Sequence, residues 1–199
     1  AEIHADYVRA GAQVHTACTF RTTARALAGT AHAARWRDLA RRAVAIARKS
    51  VGRSGRVAGS MAPLEDCFSP KLTPPDAALA REHADLAGCL AEAGCDLLLV
   101  ETMPTTRELI AATRAAVATG LPVWAAVTLG PDGDYFDAAG LASAVRAVAN
   151  EGGAAFLINC SAPALIGRAL PGLAPVAASA GLALGAYGNS IFEGAGAWP

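Results

Sequence analysis

Two side chains in this sequence fall where a strand-and-helix protein places its chemistry, Cys160 and Glu101. Ala154-Ala155-Phe156-Leu157-Ile158-Asn159-Cys160-Ser161 is a short, continuously apolar run that delivers a lone thiol at its end. A run of this kind fits a parallel strand covered on both faces. Asp96 to Glu101 has the same form and ends in a carboxylate. In barrels of alternating strands and helices, catalytic groups come from the C-terminal ends of the strands. A thiol there is a nucleophile, a metal ligand or an inert small apolar residue, and position alone leaves all three open. A carboxylate there contacts a cationic substrate group, acts as a base, or forms a salt bridge with a loop arginine.

The elements that must position these groups repeat one grammar: an amphipathic helix, a glycine, then a short apolar strand ending in polar residues. Ile3, Tyr7 and Ala10 share a helical face, and Gly11 closes that helix before a strand from Gln13 to Phe20. Ala34 to Ser50 reads as a helix with Leu39, Ala43 and Ile46 inward, followed by a strand from Arg56 to Ser60. Thr73-Pro74-Pro75-Asp76 starts the next helix, with prolines tolerated in its first turn and Asp76 near its positive end. Its inward face is Leu79, His83, Leu86 and Leu90, and Gly94 stops it. Thr105 to Glu108 forms a capping box, in which hydroxyl and carboxylate each satisfy an orphan amide. That helix runs to Gly120, and Pro122 to Thr128 is a strand. Leu141, Val145 and Val148 mark another helix, closed by Gly152-Gly153 before the Cys160 strand. Leu165 to Ala180 is helical but interrupted by Pro171 and Pro175, and Leu182 to Tyr187 is the sixth strand.

The strands end at Thr19, Ser60, Glu101, Thr128, Cys160 and Tyr187-Gly188-Asn189. Alternation of this kind argues for an α/β fold with a parallel sheet and right-handed crossovers. No GxGxxG and no GxxxxGK[ST] follows any strand, which removes the commonest nucleotide-binding reason for an open doubly wound sheet. A (β/α)8 TIM barrel is favoured. It needs eight strands and about 250 residues, so two strands are missing.

With 199 residues, one domain spanning 1–199 is expected, burying roughly 70% of the unfolded surface. Lysines and arginines number 17, matching 17 acids, so net field points to neither nucleic acid nor an anionic membrane. No apolar run approaches the ~20 residues of a spanning helix, and no basic-then-apolar leader opens the chain. The five cysteines are scattered without CxxC spacing, so a reducing cytoplasm fits better than a disulfide framework.

Six segments in order resemble the homocysteine S-methyltransferase family. Ala10-Gly11-Ala12 with Thr19-Phe20-Arg21 resembles its "AGA…TNTFR" segment, and Ala58 to Cys67 its "AGSxxPLEDCY" loop. Asp96 to Met103 is similar to "DLLLxETM", and Pro122-Val123-Trp124, Asn159-Cys160-Ser161 and Tyr187-Gly188-Asn189-Ser190 to "PVW", "NCS" and "YPNS". The resemblance implies a zinc-dependent (β/α)8 barrel that moves a methyl group from an onium donor to the sulfur of homocysteine, forming methionine. It implies that Cys160 is one of three zinc-binding thiolates, the other two coming from a "GGCC" pair after the seventh strand. It implies that Glu101 contacts the substrate's amino group, with Thr19, Ser60, Asn159 and Asn189 as further substrate contacts. S-methylmethionine or S-adenosylmethionine is the favoured donor, and a homo-oligomer is left open.

This sequence departs from that pattern. The "GGCC" pair and the "DGGxGT" first strand are absent, Cys18 and Ala17 replace the usual asparagine and threonine, and Gly188 stands where "YPN" has proline. The expectation is a barrel lacking its first and last strands, with open sheet edges, weak or no zinc binding and no methyl transfer by the chain as it stands. Cys18, Cys89 and Cys95 read as packing, and Cys67 as a loop residue that binds no metal. His83 reads as a packed, hydrogen-bonded core histidine, and His4, His15 and His32 carry no signal. Glu65 and Asp66 read as loop capping, and the arginines from Arg35 to Arg48 as a solvated helix face. In a regular strand Asn159 points away from the side that Cys160 faces. Two other readings stay open. One is a metal-free barrel lyase or aldolase with Glu101 as base, for which no lysine ends a strand. The other is a non-catalytic barrel fragment that pairs its open edges with another chain.

Overall fold

The computed structural model describes residues 2–52 and 55–189. Helices and strands alternate throughout: α1 (Glu2–Arg9), β1 (Val14–Ala17), α2 (Trp36–Val51), β2 (Arg56–Met61), α3 (Asp76–Glu92), β3 (Leu97–Met103), α4 (Thr106–Val117), β4 (Val123–Val127), α5 (Ala138–Asn150), β5 (Ala155–Asn159), α6 (Pro163–Ser179) and β6 (Ala183–Tyr187). The six strands pair in parallel and in chain order, β1 beside β2 through to β5 beside β6. Sequential order with a helix in every crossover is the barrel arrangement, since a doubly wound sheet reverses its order part-way. The sheet is curled. Tyr187 at the end of β6 reaches Glu101 on β3 with its hydroxyl 2.7 Å from Oε2. In a flat sheet, strands three places apart would be separated by about 14 Å.

Alternation along each strand divides the apolar residues between two faces. Val57, Met61, Leu98, Val100, Val127, Phe156 and Ile158 pack outward against the helices in one large core. Ala58, Leu97 and Leu99 on one side, and Ala126, Ala155 and Leu157 on the other, point inward, with Trp124 touching both groups. Site residues continue the inward set: Ser60 follows Ala58, Glu101 follows Leu99 and Asn159 follows Leu157.

Three expectations need correction. In α2 the buried face is Trp36, Ala40, Val44, Ala47 and Val51, whereas Ile46 is exposed and Leu39 and Ala43 are half-buried. The small residues of the true face let the helix lie close to the sheet, and hydrophobicity alone favoured the neighbouring stripe. Helix α6 runs unbroken through Pro171 and Pro175. Both prolines lie on the exposed face, so the carbonyls they leave unpaired can bond water. Strand β1 ends at Ala17, because Thr19 N–H turns back to Ala17 O at 2.7 Å and takes the chain off the ladder. The face shared by Ile3 and Tyr7 on α1 is solvent-exposed.

Arg25, in the segment between β1 and α2, ties that segment to its neighbours. Its guanidinium donates to both oxygens of Glu82 on α3 (2.8 and 2.7 Å) and to Glu65 beyond β2 (2.7 Å). This hydrogen-bonded cation holds the Glu82 carboxyl below its ordinary value of 4.5. A lowered carboxyl stabilises the fold above its unfolded value and loses that contribution as pH falls through the folded one. Glu82→Gln is therefore expected to lower the unfolding free energy by about 1 kcal/mol at pH 7, the gap narrowing as pH falls below the ordinary carboxyl value of 4.5. Urea titrations of both proteins from pH 7 downward check this, and a gap that does not narrow on acidification would contradict it.

Gly59 in β2 has no room for a side chain. A Cβ there would lie 2.9 Å from Cys95 Sγ, 3.0 Å from Leu98 and 3.1 Å from Leu90. Gly59→Ala is expected to destabilise the fold by about 1–3 kcal/mol through overpacking, read as a lower urea midpoint with an unchanged slope.

Candidate active site at the strand ends

At the C-terminal rim of the sheet, side chains from β2, β3 and β6 converge on one carboxylate. Glu101 is buried, at 8% exposure. Its Oε1 accepts a hydrogen bond from Ser60 Oγ, and its Oε2 accepts from the Tyr187 hydroxyl at 2.7 Å. Among the described residues no arginine or lysine lies within salt-bridge distance of it. Neutral donors hold this carboxylate, with lone pairs left over. Burial and the neighbouring Glu101 charge push the Tyr187 phenol well above its ordinary range, so it stays a donor.

Thr19, expected as a substrate contact, is fully buried and clasps the backbone of Ser60. Ser60 N–H donates to its Oγ1 at 2.9 Å, and its hydroxyl donates to Ser60 O at 2.9 Å. It thereby replaces the ladder that β1 has already left and fixes the strand end carrying Ser60. Asn159 is similarly engaged. Its Oδ1 accepts from Thr102 N–H at 2.9 Å, and its Nδ2 donates to Thr102 Oγ1 at 2.7 Å. Thr102 has φ +65°, and the register between β3 and β4 slips between Val100 and Met103. Asn159 thus braces the bulge beside Glu101.

Cys160 lies just past β5 with φ +48°, a left-handed conformation that costs a non-glycine residue about 1–3 kcal/mol unless its surroundings enforce it. Here they do. Cys160 N–H donates to Tyr187 O at 3.2 Å, and Thr128 Oγ1 donates to Cys160 O at 3.1 Å. Ser161 Oγ donates to Asn159 O at 2.9 Å and accepts from Leu129 N–H at 2.8 Å. The turn breaks strict alternation, so the half-buried Cys160 thiol faces the same rim as inward-pointing Asn159, contrary to the regular-strand expectation. Asn189 Nδ2 is 3.8 Å from Cys160 Sγ; Ser190, the last residue of that element, lies outside the described residues. Burial raises the Cys160 thiol, the Asn189 contact offsets part of this, and Glu101 adds to it. Without a cation beside it, Cys160 is a protonated and poor nucleophile at neutral pH.

The expected zinc site does not assemble from these residues. Among the described residues no three of the types His, Cys, Asp and Glu gather around a common point. Cys18 is exposed, Cys67, Cys89 and Cys95 are buried, and the one cysteine half-open at the rim is Cys160. Tyr187, Thr102 and Ser161 were not singled out as site residues in the sequence. A tyrosine ending an apolar strand was the available signal for the first, but its partner lies 86 residues away. A cavity of about 1090 Å³ lies beside the rim, walled by Phe68, Leu72, Tyr135 and Phe136. Neither Glu101 nor Cys160 lines it. No described helix is long and apolar enough to cross a membrane.

No curated protein matches the chain. Among solved structures, the homocysteine methyltransferase MmuM from Escherichia coli is similar in its metallated form, with 24% identity, a TM-score of 0.73 and coverage of 94% of this chain and 78% of that one. Its apo form gives 25% identity and a TM-score of 0.68 at the same coverage. The sequence model of the homocysteine S-methyltransferase family matches residues 1–198. This chain therefore belongs to the homocysteine S-methyltransferase family, a methyltransferase with a role in homocysteine methylation.

Proposed function

We propose that the rim formed by β2, β3, β5 and β6 binds homocysteine with its ammonium on Glu101 and its sulfur beside Cys160, for methyl transfer from an onium donor. The supporting observation is the Glu101 carboxylate, buried and held by Ser60 and Tyr187 but, among the described residues, with no arginine or lysine beside it. A carboxylate so placed is incompletely compensated, and an incoming ammonium removes that deficit. Ser60 and Tyr187 fix the direction in which the remaining lone pairs point. Thr19 and Asn159 act one step back, holding Ser60 and the bulge that carries Glu101. Asn189 is the further substrate contact, next to Cys160.

In the transfer, the substrate thiolate attacks the donor methyl in line. A carbon–sulfur bond forms to give methionine, and the donor's bond to that methyl breaks with its electron pair returning to the leaving thioether. The donor is already positively charged, so no general acid is required. S-methylmethionine and S-adenosylmethionine both meet that requirement. Orientation by Glu101 is this chain's main contribution, and alignment of two reactants can supply ~7 kcal/mol or more. Among the described residues the donor set does not fit a complete zinc site. The reading for zinc is that Cys160 is one ligand of three.

Two outcomes are expected. The purified 199-residue chain should retain zinc far below one equivalent by atomic analysis and should not transfer methyl groups; near-stoichiometric zinc would overturn the one-ligand reading. Glu101→Gln should weaken homocysteine binding roughly tenfold or more in calorimetry, the loss expected for a charged hydrogen bond. It should leave 4-mercaptobutanoate, which lacks the ammonium, unaffected. Equal losses for both ligands, or none for homocysteine, would remove Glu101 from ammonium recognition.

A further inference from the structure

Glu108 and His83 are both fully buried, yet they lie behind the rim, between α3 and α4, where the methyl-transfer chemistry has no use for them. Thr105 caps α4 as the sequence suggests, its hydroxyl accepting from Glu108 N–H at 3.3 Å. The Glu108 carboxylate, however, turns away from the cap. Its Oε1 accepts from Leu64 N–H at 2.8 Å and from His83 Nε2–H at 3.2 Å, and its Oε2 takes a long contact of 3.5 Å from the Thr73 hydroxyl. His83 Nδ1 has no hydrogen-bond partner.

A buried acid–imidazole pair is a poor way to join two helices, because well-packed apolar residues of similar volume would hold them at least as well. What the pair supplies is an acceptor. Ala62, Pro63 and Leu64 are buried just beyond β2, and a buried backbone N–H needs a partner. This carboxylate holds the near end of the loop from 62 to 75 at Leu64 and makes a long contact with Thr73 at its far end. Arg107, the adjacent residue on α4, reinforces the far end by donating to Thr73 O at 3.0 Å, Pro74 O at 2.7 Å and Asp76 Oδ1 at 2.8 Å. The near end begins two residues after Ser60, the donor to Glu101. Between the ends sits buried Cys67, whose thiol is pushed up to about 11 by burial and then by the neighbouring Cys160.

We propose that Glu108, steadied by His83, is a positioning residue that fixes the β2–α3 loop over the rim, so that Ser60 stays on Glu101 and Cys67 stays buried. The functional half of this rests on the homocysteine reading above; the structural half does not.

Site-resolved thiol labelling of the full chain, followed by mass spectrometry, separates the two. Cys67 reports the loop, and Cys95, buried at the opposite end of the sheet before β3, reports global opening. Glu108→Leu removes the acceptor and keeps bulk, and is expected to speed Cys67 labelling roughly tenfold or more while Cys95 is unchanged. Glu108→Gln, which retains an acceptor oxygen, should stay close to the parent. Should Glu108→Leu not fold, His83→Leu gives the same comparison, with Cys67 again the faster thiol. Parallel acceleration of both thiols, or of neither, would overturn the anchor. In the same variants homocysteine affinity should fall while 4-mercaptobutanoate affinity holds; a freed loop with unchanged homocysteine affinity would overturn the positioning role. A parent chain that binds no homocysteine would count against the substrate reading alone, because the labelling still reports on the anchor.

Discussion

The carboxylate of Glu101 is the point on which the rim of this sheet depends. It joins three strands that are not all neighbours: β3, which carries it, β2 through Ser60, and β6 through Tyr187. The last of these links spans the concave face and exists only because the sheet curls. A buried carboxylate without a protein cation is costly, and hydrogen bonds from neutral donors recover only part of the lost hydration. On the proposed reading of the rim, a substrate ammonium on Glu101 would remove that deficit.

Two left-handed non-glycine residues flank this centre, Thr102 after Glu101 and Cys160 after β5. Neither conformation would persist alone. Asn159 holds the first with both ends of its amide, and the second is held by Thr128 on one side and the Tyr187 carbonyl on the other. Because Asn159 immediately precedes Cys160, the brace for the Glu101 bulge and the turn that presents the thiol share one strand end. The carboxylate and the sulfur are consequently fixed relative to one another by backbone geometry. That is the property a reaction between an oriented amino acid and a methyl donor requires.

Local signals in the sequence carried most of the architecture. Glycines after helices, an apolar run before each polar strand end, and the Thr105 cap depend on neighbours a few residues away, and the strand order followed from their alternation. Face assignment was harder where the periodic residues were small: α2 packs through Ala40, Val44 and Ala47, and a hydrophobicity pattern could not prefer these over Leu39 and Ile46. At the site, residue types pointed to Glu101 and Cys160, but the partners did not announce themselves. Asn159 could be read as a substrate contact or as a support for one, and its bonds to Thr102 were not legible because only the folded sheet brings positions 57 residues apart into contact. Glu108 looked like half of a capping box for the same reason. Its local partner was visible, whereas Leu64, its stronger one, is 44 residues away.

Glu101 and Glu108 belong to one β3–α4 unit and face opposite ways from it, the first into the rim and the second toward α3. Each accepts a hydrogen bond from the same neighbouring segment, Glu101 from the Ser60 side chain and Glu108 from the Leu64 backbone. The chain leaving β2 is thus pinned on either side of residues 61 to 63 by two carboxylates set in one rigid unit. A shift of the loop cannot be absorbed between those points without stretching one of the bonds. Glu101 also has Tyr187 to hold it, while Ser60 has Thr19, so the Ser60–Glu101 hydrogen bond is held from both sides. This is a physical route by which a buried pair outside the rim can set the geometry of the Glu101 carboxylate.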